Sequence, residues 1–135
     1  MRVITGNEIE RLLDYPYLIE TIRAAFAGTV VAPPRLHHRV PRPGAAEATL
    51  ILMPAWQESA AQTGGGFMGV KIVTVFPDNA TRRKASVQAT YVLMAGDSGE
   101  ALATLDGETL SCGGQQQLRR WRPVLLPAPT RRASP

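Results

Sequence analysis

The chain lacks most of the features that mark a compartment or a cofactor. It has one cysteine, Cys112, so an intrachain disulfide is excluded and nothing points to an oxidising compartment. The opening Met1-Arg2-Val3-Ile4-Thr5-Gly6-Asn7-Glu8 has no apolar signal core and turns polar at once. No apolar run approaches the roughly 20 residues that span a bilayer. After Leu110 there is no G-x-G-x-x-G, and Gly64-Gly65-Gly66 lacks the Lys-Ser/Thr ending and following helix of a phosphate loop, so it reads as a flexible loop. His37 and His38 are adjacent, point to opposite faces of any strand and have no third ligand nearby, so no metal site is expected. No Ser-His-Asp arrangement stands out. These absences predict a soluble, cytoplasmic protein with no membrane partner.

Acidic residues are missing from Ser111 to Pro135, and that skews the charge. The formal charge of +4 invites a nucleic-acid reading. Its distribution argues otherwise. Arg119, Arg120, Arg122, Arg131 and Arg132 all lie in that last segment. Setting those five aside from the 15 Lys+Arg leaves 10 against 11 Asp+Glu, so the body is close to neutral. No basic strip with interleaved aromatics is present, and no nucleic-acid partner is expected.

What is there fits one modest domain of 135 residues. Thr5-Gly6-Asn7-Glu8 has the form of a capping box and predicts a helix over Gly6 to Leu13. Asp14-Tyr15-Pro16 starts a second, with Leu18, Ile22, Ala25 and Phe26 on one face and Gly28 as its stop. After Pro33-Pro34 the pattern turns extended. Leu36 to Val40, Thr49 to Met53, Phe67 to Phe76, Val87 to Met94 and Ala101 to Leu105 read as strands, with a polar, glycine-ended loop over Gln57 to Gly66. Gly96-Asp97-Ser98-Gly99 makes the last two a hairpin. The expected fold is α+β: two N-terminal helices, then a mostly antiparallel sheet of about five strands.

Four segments taken together are more specific. Met53-Pro54-Ala55-Trp56 ends one strand. Gly69-Val70-Lys71-Ile72-Val73-Thr74-Val75-Phe76-Pro77-Asp78-Asn79 follows. Ser86-Val87-Gln88 opens the next strand, and Gly99 to Gly107 closes the hairpin with Leu105-Asp106-Gly107. With Pro33-Pro34-Arg35 before them, this order and spacing resembles the N-terminal half of the ornithine cyclodeaminase/mu-crystallin family, over about Val3 to Leu110. That family uses NAD or NADP to exchange hydride at a carbon bearing an amino or imino group beside a carboxylate. The resemblance implies a sheet domain that binds substrate and forms a homodimer, followed by a Rossmann domain for the cofactor.

Lys71 stands inside the apolar run Val70-Lys71-Ile72-Val73. A buried lysine is costly unless paired, so it is a candidate to grip a carboxylate or move a proton. Strand alternation alone favours a surface charge. The family motif favours the functional reading, in which Lys71 is both catalytic and substrate-binding. The resemblance also implies an upstream arginine on the substrate carboxylate, a contact guanidinium makes bidentately. Arg35 follows Pro-Pro, while Arg39 lies nearer the expected distance before Met53; Arg35 is put first and Arg39 second. By resemblance Met53 lies near the substrate, though core packing explains it as simply. Ser86 matches a small hydroxyl near the cofactor, or is merely the start of a strand.

After Leu110 the resemblance implies a helix opening R-T-A-A-A-S-A-L-A and a loop P-D-A-S-R-L. The chain instead runs Cys112-Gly113-Gly114-Gln115-Gln116-Gln117-Leu118-Arg119-Arg120, with no hydrophobic period. Joining the last base of each codon to the first two of the next permits both family segments in order. Residues 1–110 are therefore read as the domain. Residues 111–135 are read as a disordered, basic, out-of-frame tail, with the Rossmann domain absent and neither NAD nor NADP expected to bind well. A genuine disordered basic tail is the alternative. The expectation is a truncated member of the family, inactive alone, whose relatives act on an amino acid such as ornithine or on a cyclic imine. Two other classes compete: a non-catalytic small-ligand binder of mu-crystallin type, and a dimerisation module whose tail binds acidic partners.

Overall fold

A computed structural model of the chain describes residues 1–57 and 65–111, apart from the side chain of Tyr15. Most of the loop expected over Gln57 to Gly66 falls outside these residues, as does the tail from Cys112 onward.

The chain opens with strand β1 (Arg2–Ile4). Thr5 then starts helix α1 (Gly6–Leu12) with a complete capping box. The Thr5 amide donates to Glu8 Oε2 at 2.8 Å, and the Glu8 amide donates back to Thr5 Oγ1 at 3.4 Å. Helix α2 (Tyr15–Ala27) carries proline in its first turn and is capped by Gly28. Strands β2 (Val30–Val31), β3 (Leu36–Val40), β4 (Ala48–Gln57), β5 (Phe67–Val75), β6 (Val87–Ala95) and β7 (Ala101–Asp106) follow.

The sheet has seven strands rather than about five. Its order is β1-β7-β6-β5-β4-β2, with β3 also paired to β4. The two missed strands are three and two residues long, too short for alternation to register. β1 also pairs parallel to β7, a non-local contact invisible in local pattern. All other pairings are antiparallel. Pro77-Asp78-Asn79 does end β5, but by opening a 3-10 helix, Pro77–Arg82. Asp78 accepts from the Ala46 amide at 2.9 Å and faces Arg42, whose guanidinium sits 5.0 Å over the Phe76 ring. These contacts tie the β3–β4 connection to the end of β5.

Residues 107–111 form a short helical turn after β7, so Ser111, the first residue assigned to the disordered tail, instead belongs to the fold. Asp106 Oδ1 caps it by accepting from the Thr109 amide at 2.8 Å. Gly107 is buried because a side chain would strike the β6 backbone, with a Cβ only 2.8 Å from the carbonyl carbon of Ala89. The Asp-Gly pair is therefore a cap followed by a close approach. Ile9, Ala48, Val73 and Ala103 are the buried hydrophobic residues, and none of the described side chains is both large and fully buried. The expected apolar face of α2 ends in Phe26, which is 88% exposed.

Candidate functional site

Strand register sets the site. Lys71 on β5 lies opposite Met53 on β4 and Tyr91 on β6. Tyr91 in turn faces Leu105 on β7, which faces Ile4 on β1. Residues directly opposite share one face of a sheet, so these five side chains form one row across it. Leu36 pairs with Leu52 at the end of the β3–β4 ladder, and exposed Arg35 lies one residue before it, outside the ladder. Lys71 pairs with Met53 from the β5 side, and Arg35 stands just beyond the end of the ladder on the β3 side.

Lys71 is half-buried. Its ammonium donates to Ser111 Oγ at 3.0 Å, and Ser111 donates to the Gly107 carbonyl at 2.6 Å. The helical turn at 107–111 thus packs over the Lys71 face. Tyr91 stretches along the same face and lies over Gly69. A Cβ at Gly69 would stand 2.6 Å from Tyr91 Cζ, so glycine is needed there to admit the phenol. Burial pushes the Tyr91 hydroxyl above its ordinary value of 10.0, because the phenolate would lose hydration.

The other expected residues separate. Arg39 shares the face but pairs with Thr49, four positions along β4 from Met53, or about 13 Å. Its side chain is 83% exposed and ion-paired with Glu47 at 2.8 Å. Ser86 precedes β6, five residues or about 17 Å from Tyr91, on the opposite alternation. Its carbonyl accepts from the Phe76 amide at 2.7 Å. His37 and His38 face Ile51 and Leu50 and are exposed on opposite faces of β3. A surface hollow of about 610 Å³ beside the 3-10 helix lies away from Lys71, and its Asp78 is already engaged by Arg42 and Ala46.

Two members of the Lys71 neighbourhood escape sequence reading. Tyr91 joins it through a cross-strand register that no local pattern encodes. Ser111 stands four residues after Gly107, the one-turn spacing that lets its hydroxyl reach back to the Gly107 carbonyl.

The profile of the ornithine cyclodeaminase/mu-crystallin family matches residues 2–113. The chain belongs to this family. It is 31% identical over 111 residues to the SAR DEFICIENT 4 protein of Arabidopsis thaliana, which covers 80% of this chain and 32% of that protein. The chain thus spans about a third of that relative's length. Among solved structures it resembles the iminosuccinate reductase of Paracoccus denitrificans in complex with NAD+, with a TM-score of 0.75 at 22% identity over 97% of this chain and 39% of that one. It also resembles the Delta(1)-pyrroline-2-carboxylate reductase of Thermococcus litoralis in complex with NADH and L-proline, with a TM-score of 0.70 at 20% identity over 88% of this chain and 36% of that one. At these identities the structures establish the fold of this family member. No helix among the described residues is long and apolar enough to cross a membrane.

Proposed function

We propose that this chain is the substrate-binding part of an NAD(P)-linked amino-acid or imine oxidoreductase of the family, and that it forms a homodimer through its sheet. The observation that carries the reading is the pairing of Lys71 with Met53, with Arg35 one residue before the β3–β4 ladder and Lys71 held at its head by Ser111. Two cations near one apolar side chain suit a small molecule with a carboxylate and a hydrocarbon body. The guanidinium of Arg35 takes the carboxylate in its plane, while Lys71 adds a point charge. Met53 lies under the carbon skeleton, and Tyr91 closes the row with a neutral hydroxyl. A cyclic imino acid fits this description. The Thermococcus litoralis reductase, which holds L-proline, supports that class, and the iminosuccinate reductase supports only the broader one of imino acids that carry a carboxylate.

Ser86, the cofactor contact that the resemblance implies, lies before β6 and apart from the row. The residues of this chain bind and orient the carboxylate, and Lys71 is placed to hold a proton beside it. The test is a titration of the 15N-labelled chain with pyrrole-2-carboxylate, a planar imino-acid mimic. The amides of Met53, Lys71 and Tyr91 are expected to move together, with pyrrole itself as the silent control. Movement confined to the arginine-rich tail would overturn the reading in favour of a basic segment that binds anions.

A further inference from the structure

We propose that Ser111 is the positioning residue for Lys71, fixing the direction of its ammonium over the sheet face. A serine hydroxyl ordinarily both donates and accepts. Here its proton is committed to the Gly107 carbonyl at 2.6 Å. Ser111 Oγ can then offer Lys71 only lone pairs, and the 3.0 Å bond from Lys71 Nζ uses one. One of the three ammonium protons is held, and two remain for a ligand.

The relay is anchored at each step. Asp106 caps the helical turn through the Thr109 amide. Gly107 lets that turn sit directly on the β6 backbone. Ser111, one turn later, arrives above Lys71. A lysine on a flexible four-carbon stem is otherwise a poorly aimed charge. The Asp-Gly segment and the serine four residues on are therefore one device that aims a side chain 40 residues earlier in the chain. The functional half of this proposal rests on the reading of Lys71 as a carboxylate-binding group.

The chain has two lysines, Lys71 and Lys84, so 13Cε-lysine labelling gives two signals, assigned by Lys84→Arg. In the wild-type chain the two Hε protons of Lys71 are expected to be inequivalent, because the side chain is held in one rotamer. Those of exposed Lys84 are expected to coincide. Ser111→Ala should merge the Lys71 pair, and so should Ser111→Cys, which keeps the shape but accepts hydrogen bonds weakly. Ser111→Thr should preserve the splitting. Pyrrole-2-carboxylate affinity should fall about tenfold in the alanine and cysteine variants and hold in the threonine variant, the size of a lost hydrogen bond to a charged group. If Ser111→Ala unfolds, seen as lost Val73 and Ala103 amide signals, the cysteine–threonine pair decides. Unchanged splitting and affinity in the cysteine variant would overturn the proposal. Merged Lys71 signals in a chain that binds no carboxylate even as wild type would leave Ser111 as the positioning residue and remove the carboxylate reading instead.

Discussion

With one proton given to Ser111, the Lys71 ammonium keeps two for whatever enters the row. Its proposed role was legible only through the family resemblance, because strand alternation alone favours a surface charge at that position. The residues put Arg35 ahead of Arg39, and the proposal keeps that order. The β3–β4 register pairs Leu36 with Leu52 and sends Arg39 to Glu47. Tyr91 was missed because its place in the row is set by cross-strand register. Its burial gives a testable pH dependence. The folded-state pKa is raised above 10.0, so the neutral phenol stabilises the fold below that pH, and this contribution is lost as pH climbs through the raised value. Alkaline titration at the tyrosinate absorbance band is expected to show a late-ionising component that disappears in Tyr91→Phe. A curve that loses an ordinary, early-ionising component instead would contradict the burial.

Elements whose cause is local were readable from the residues. The capping box of α1, the glycine stop of α2 and the β6–β7 hairpin each follow from four or five adjacent residues. Elements made by distant partners were not. β1 exists because β7 arrives beside it, and β2 because Trp56 and Gln57 continue β4 past it. The capping box gives a second test. The Thr5 amide, then its hydroxyl, hold the Glu8 carboxyl below its ordinary 4.5. A lowered carboxylate stabilises the fold above its unfolded value, and this is lost as pH falls through the lower folded one. Thr5→Ala is expected to cost about 1 kcal/mol near neutrality. The gap to wild type should narrow in urea titrations below about pH 4. A gap that stays constant with pH would show that the Thr5 hydroxyl does not bear on the Glu8 carboxylate.

At the scale of the whole molecule, the described residues make a single sheet with little on either face. Four buried hydrophobic residues and an uncovered α2 stripe leave apolar surface that water would cover only at a cost. A second copy is the occupant that the proposed homodimer supplies. Sedimentation of the chain is expected to show twice the monomer mass at micromolar concentration and dissociation on dilution. A monomer at every concentration would refute the dimer without touching the Lys71 row. The N-terminal half of the family is legible here as a set of spacings because each motif has a structural task. Asp78 ties β3–β4 to β5, Asp106 caps, and Gly107 allows close packing.

The most direct trial of the carboxylate row is the dissociation constant for pyrrole-2-carboxylate in three single variants. Lys71→Met and Arg35→Met should each weaken binding at least about tenfold, while Arg39→Met stays close to wild type. Equal losses at Arg35 and Arg39, or none at Lys71, would mean that the cations of this sheet face act as scattered surface charge and that no row grips the ligand.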